Sequence, residues 1–152
     1  MIVTLNINKQ DVLSEVQQTT NYVGVKMDQG EAKEWERVRT IDEDESQLRR
    51  FYDESTVSFT EQMKKFLAAS PEINSEGDVS FTLEVSSAFD RSLTEPMQKE
   101  LFSFYVMNIT GKWFALANKA EAQEYIQSAA SLLEGVHRKA CWKKKPIRPT
   151  YD

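Results

Sequence analysis

The only histidine and the only cysteine of the 152-residue chain, His137 and Cys141, stand four residues apart. On a helix an i, i+4 pair shares a face, so the two can form a thiol–imidazole dyad, the start of a cysteine nucleophile. A working site also needs an orienting third group and shelter from water, and the lysine-rich run that follows offers neither. The alternative is structural: an imidazole near the last carbonyls of a helix, and a half-buried thiol. Two side chains are also too few for zinc, which takes four ligands, or three with an open position.

Carboxylates are plentiful, yet they sit in charged surroundings where nothing raises a pKa for general acid work. The run Asp42-Glu43-Asp44-Glu45 lacks the Asp/Asn ladder, central glycine and closing glutamate of an EF-hand loop. Neither a GxGxxG nor a P-loop pattern occurs. The residues therefore predict a protein that is not an enzyme and takes no cofactor or metal.

The C-terminal segment offers binding chemistry instead. From Arg138 to Arg148 stand six cations and no acid: Arg138, Lys139, Lys143, Lys144, Lys145 and Arg148, with Trp142 and Tyr151 interleaved. Such a run can hold a phosphate backbone or an acidic protein surface, or it can simply be a solvated tail. Pro146 and Pro149 favour an extended conformation that can reach into a neighbour. The first half is opposite in sign, with ten acids against five cations between Asp28 and Glu54. Asp42, Glu43, Asp44 and Glu45 are the candidate complementary surface. The formal net charge of −5 argues against a surface that binds nucleic acid all over, so any such contact belongs to the tail.

These groups need a scaffold, and the composition supplies one. With 40% hydrophobic and 28% charged residues the chain reads as one globular domain, residues 1–142, followed by an extended basic tail, residues 143–152. The lone cysteine implies no oxidising compartment. No apolar run approaches the length of a membrane span, and the start lacks the basic region and cleavage site of a secretory leader.

Residues 2–7 alternate as a short strand, and Val79 to Val85 alternates more strictly and is its natural mate. Asn8 can cap a helix over Lys9 to about Tyr22, and residues 26–39 read as a long loop in which Trp35 is either an anchor or a partner contact. A helix of about 25 residues follows Ile41, its stripe running Leu48, Phe51, Tyr52, Ser55, Phe59, Met63, Phe66 and Leu67. Thr94 can cap the next, in which Pro96 suits the first turn and the apolar face is wide enough for burial on most sides. Gly111 within it is either a tolerated helical glycine or a point of close backbone approach. After a break at Asn118 to Lys119, a last helix carries Ala122, Tyr125, Ile126, Ala129, Ala130, Leu133, Val136 and Ala140, a face of small residues that permits close packing. The expected fold is mostly α with a small β element: about four helices beside a two-stranded antiparallel or mixed sheet with exposed edges that a neighbouring subunit can extend.

Ile41-Asp42-Glu43-Asp44-Glu45 opening one helix, and Thr94-Glu95-Pro96-Met97 opening a second rich in aromatics, resemble the head-to-tail connector (adaptor) proteins of tailed bacteriophages. The segments 19–26, Leu101-Phe102-Ser103-Phe104-Tyr105, Lys112-Trp113-Phe114 and Lys144-Lys145-Pro146-Ile147-Arg148-Pro149 are similar to proteins of phages and prophages from Bacteroides-like bacteria. The Val79 to Val85 strand departs from the connector pattern, which helices dominate. The resemblance implies a ring-forming virion subunit, assembled in the cytoplasm of a host bacterium, that docks on the portal and other neck or tail proteins and lines the channel through which DNA passes.

Overall fold

The computed structural model describes residues 1–27, 44–117 and 119–146. Trp35, Asp42, Glu43, Arg148 and Tyr151 lie outside the described residues, as do most of the 26–39 segment and Asn118. The order of elements is β1 (Ile2–Ile7), α1 (Lys9–Met27), α2 (Glu45–Gln62), β2 (Glu72–Ile73), β3 (Val79–Glu84), a 3₁₀ turn (Arg91–Leu93), α3 (Thr94–Ala117) and α4 (Lys119–Ala140). The expected mostly helical architecture with a small sheet is the observed one.

Alternation decides the sheet. Val3, Leu5 and Ile7 of β1 and Val79, Phe81 and Leu83 of β3 are all buried, and the strands pair antiparallel with Leu5 opposite Phe81. The sheet has three strands, because Glu72 and Ile73 pair with Ser80 and Val79 as a short β2. On its outer side β1 is partly closed by a side chain. The Asn6 amide donates to Gln98 Oε1 at 2.8 Å, and Gln98 Nε2 donates back to the Asn6 carbonyl, as a neighbouring strand would.

Helix limits depart from the periodicity in three places. Helix α1 continues beyond Tyr22 to Met27, since a single glycine at position 24 costs only about 1 kcal/mol in a helix. Helix α2 has 18 residues and stops at Gln62. Its apolar pattern runs on through Leu67, but that backbone bonds to the edge of β3: Glu84 N donates to Phe66 O at 2.7 Å and Ala68 N to Thr82 O at 3.0 Å. Thr94 is the first residue of α3 rather than its cap. Asp90 caps the preceding turn, its Oδ1 accepting from Ser92 N at 3.0 Å and Ser92 Oγ at 2.7 Å.

Helix α3 is the centre of the molecule. It buries Met97, Leu101, Phe104, Tyr105, Val106, Ile109 and Phe114, and it packs against α1, α2, β1 and, most extensively, α4. On the other side of the core Phe59 of α2 meets Phe81 of β3 with ring centroids 4.6 Å apart. Two buried phenols here are paired: Tyr105 Oη and Thr56 Oγ1 share a 2.7 Å hydrogen bond, and Tyr52 Oη donates to the Gly77 carbonyl at 2.8 Å, whereas the Thr110 hydroxyl of α3 is buried with no hydrogen-bond partner among the described residues. Burial holds both phenols well above the ordinary tyrosine pKa.

Gly111 settles into the second of its two readings. A Cβ there would stand 2.9 Å from Ile126 Cγ1 and 3.2 Å from the Ile126 backbone nitrogen, so α4 can approach only because position 111 has no side chain. At the other end of the pair, a Cβ on Gly135 would meet Glu100 Oε2 at 2.7 Å. Among the described residues no helix is long and apolar enough to cross a membrane.

Candidate functional site

The last turn of α4 carries His137, Arg138 and Lys139, cations or potential cations where the exposed carbonyls of a helix end favour positive charge. Arg138 is exposed, whereas Lys139 reaches across to Glu100 of α3 in an ion pair whose side chains are each about one quarter exposed (26% and 24%). The charge of Lys139 is thus engaged within the chain. Helix α4 closes with Cys141 N donating to the His137 and Arg138 carbonyls at 3.3 and 3.2 Å.

Among the described residues no side-chain hydrogen bond joins His137 to Cys141. His137 packs its ring edge-on against Phe66, centroids 5.5 Å apart, while Cys141 is exposed rather than half-buried.

Beyond Cys141 the chain is fastened to the body at Lys143 and Lys144. Lys143 forms an antiparallel bridge with Phe89, and Lys144 N donates to the Ala88 carbonyl at 2.8 Å. Phe89 is buried, so the bridge is anchored to the core. The Asp90 carboxyl beside it is held below its ordinary value by its hydrogen bonds from Ser92 and, to a lesser degree, by Lys144. With the backbone fixed, the side chains of Trp142, Lys143, Lys144 and Lys145 project outward, and Trp142 is 58% exposed. Arg138, Lys143 and Lys145 have no carboxylate partner among the described residues.

Of the acidic run expected to complement this surface, Glu45 is exposed and bound to Arg49 of its own helix at 3.0 Å. A different acidic surface lies between α1 and α4. A cleft of about 800 Å³ is lined by Glu15 and Tyr22 from α1, Met107 from α3, and Glu121, Glu124 and Tyr125 from α4. Burial, then the charges of Glu121 and Glu124, push the Tyr125 phenol above its usual pKa. None of the three glutamates has a cationic partner among the described residues.

No family model, curated protein or solved structure matches the chain.

The cleft left a trace in the sequence. Glu15, Gln18, Thr19 and Tyr22 recur at i, i+3, i+4 and i+7, and Glu121, Glu124, Tyr125 and Ser128 repeat the same spacing, so each set lines one face of its helix. Each stripe alone reads as an ordinary solvated face. Only the packing of α1 and α4 on α3 turns the two stripes toward one another.

Proposed function

We propose that this chain is a non-enzymatic structural subunit of a tailed-phage virion, a ring-forming head–tail connector that docks on the portal and lines the DNA channel. The observation that carries the reading is the outward-facing set Arg138, Trp142, Lys143 and Lys145 at one end of a fixed helical body. An exposed tryptophan among unpaired cations is the composition of a contact surface, in which aromatic residues anchor and charges steer. The resemblance named above supplies the virion setting and the portal and neck partners. Native mass spectrometry of the full chain, alone and mixed with portal protein, should detect a cyclic homo-oligomer or a portal-bound ring. A strict monomer under both conditions overturns the reading.

The same surface supports a second reading, a nucleic-acid-binding accessory protein, because Trp142 can stack on a base while the lysines hold phosphates. That reading requires DNA affinity that falls steeply with salt and is lost when residues 143–152 are removed. Absence of binding to duplex and single-stranded DNA at low salt overturns it.

A further inference from the structure

Helix α4 joins the acidic cleft to the basic end, with Lys119 beside the acids and Glu134 one turn before Arg138 as charges of the opposite sign. Glu121 and Glu124 lie in the first two turns of α4, and Arg138 lies in its last. At 1.5 Å per residue the distance from Glu121 to Arg138 is roughly 26 Å, about three Debye lengths at physiological salt, so the two groups barely sense one another within a chain. Nor do Lys143 and Lys144 fold back to the acids, because their backbone bonds to Phe89 and Ala88 hold them at the far end of α4. Each surface also presents a large aromatic to solvent, Tyr22 at 70% exposure in the cleft and Trp142 at 58% beside the lysines.

We propose that the basic end of one copy, Arg138, Trp142, Lys143 and Lys145, docks into the Glu15, Glu121 and Glu124 cleft of the next. The contact joins different patches on the two copies, so it is heterologous and propagates head to tail, closing into a ring when the rotation per subunit permits. It deepens the proposed function and rests on that reading's premise that copies of this chain associate. It also moves the acidic receptor from the start of α2 to the cleft between α1 and α4.

The test is a charge swap on the full-length protein, read by sedimentation velocity and native mass spectrometry at low and high salt. A cleft variant, Glu121→Lys with Glu124→Lys, and a basic-end variant, Lys143→Glu with Lys145→Glu, should each weaken self-association at least tenfold while melting like the parent chain. An equimolar mixture should regain assembly, because the basic end of the cleft variant then faces the native cleft of its partner, and the acidic end faces the reversed cleft. Should a reversed variant fail to fold, Glu124→Gln and Lys145→Gln serve instead, each expected to flatten the salt dependence of assembly. Assembly that persists unchanged in the cleft variant overturns this inference and leaves the ring reading standing. A parent chain that stays monomeric overturns both. Loss of DNA binding with unchanged self-association in the basic-end variant also overturns it, assigning the lysines to nucleic acid.

Discussion

Helices α3 and α4 lie against each other along most of their lengths, yet they bury different kinds of residue. Helix α3 puts Met97, Leu101, Phe104, Tyr105, Ile109 and Phe114 into the core, whereas α4 buries only Ala122, Ala129, Gly135, Val136 and Ala140. Large side chains pointing in several directions make α3 the element on which the others pack. A narrow seam of small residues lets α4 approach closely and leaves the rest of its circumference to solvent. The helix that holds the fold together is therefore not the one that presents the candidate contact surfaces.

Truncations should separate the two helices first and most strongly. Phe104→Ala removes a buried ring from α3 and should cost about 4 kcal/mol in urea unfolding. Leu132→Ala on the half-buried side of α4 should cost less than half of that, and equal losses would break the comparison. The seam comes next. Gly111→Ala should destabilise by about 1–2 kcal/mol, since the new methyl meets the backbone of Ile126 and overpacking outweighs the gain in helix propensity. Gly135→Ala should be nearly neutral, because there the methyl meets only the tip of the flexible Glu100 side chain. If the two glycines respond alike, backbone approach is not what position 111 protects.

A smaller effect tests how α2 is tied to α3. Glu54 bonds Lys112, and that hydrogen bond, with help from Arg50, holds its carboxyl below the ordinary glutamate value of about 4.3. A lowered folded-state pKa means that the pair stabilises above about pH 4.3 and fades as pH falls through the depressed value. Glu54→Gln should flatten the fall of Tm with acidification below that pH and leave the profile between pH 6 and 8 parallel to the parent. Both side chains are about one third exposed, so the change in Tm should be small. Smallest of all, Lys145→Ala should shift stability by less than about 0.5 kcal/mol. A larger loss would place Lys145 in the fold rather than at a contact surface.

Legibility followed how local the cause was. Strict alternation from Val79 identified β3 and its partner β1, because a period of two survives any arrangement of the helices around it. The wide apolar face of α3 likewise announced a central helix. The same kind of pattern overran the end of α2: Phe66 and Leu67 keep a helical period, but their carbonyl and amide neighbours found partners on β3. The two-residue strand β2 carries no alternation at all and exists because β3 offers it an edge.

The site residues divide along the same line. Sequence was enough to mark Arg138 through Lys145 as basic, and to doubt His137 and Cys141 as a catalytic pair. It did not separate Lys139, which Glu100 neutralises from 39 residues away, from Arg138 and Lys145, which remain without partners. Consecutive acids make Asp42 to Glu45 legible as an acidic stretch, whereas the cleft assembles carboxylates from Glu15 and Glu121, more than a hundred residues apart.

What the chain determined by itself is periodicity and the sign of charge in each stretch, both carried by neighbouring residues. Which charges are cancelled, which glycine admits a backbone, and which solvated stripes face one another were decided by tertiary packing. Those outcomes depend on groups distant in sequence, and no local pattern encodes their meeting.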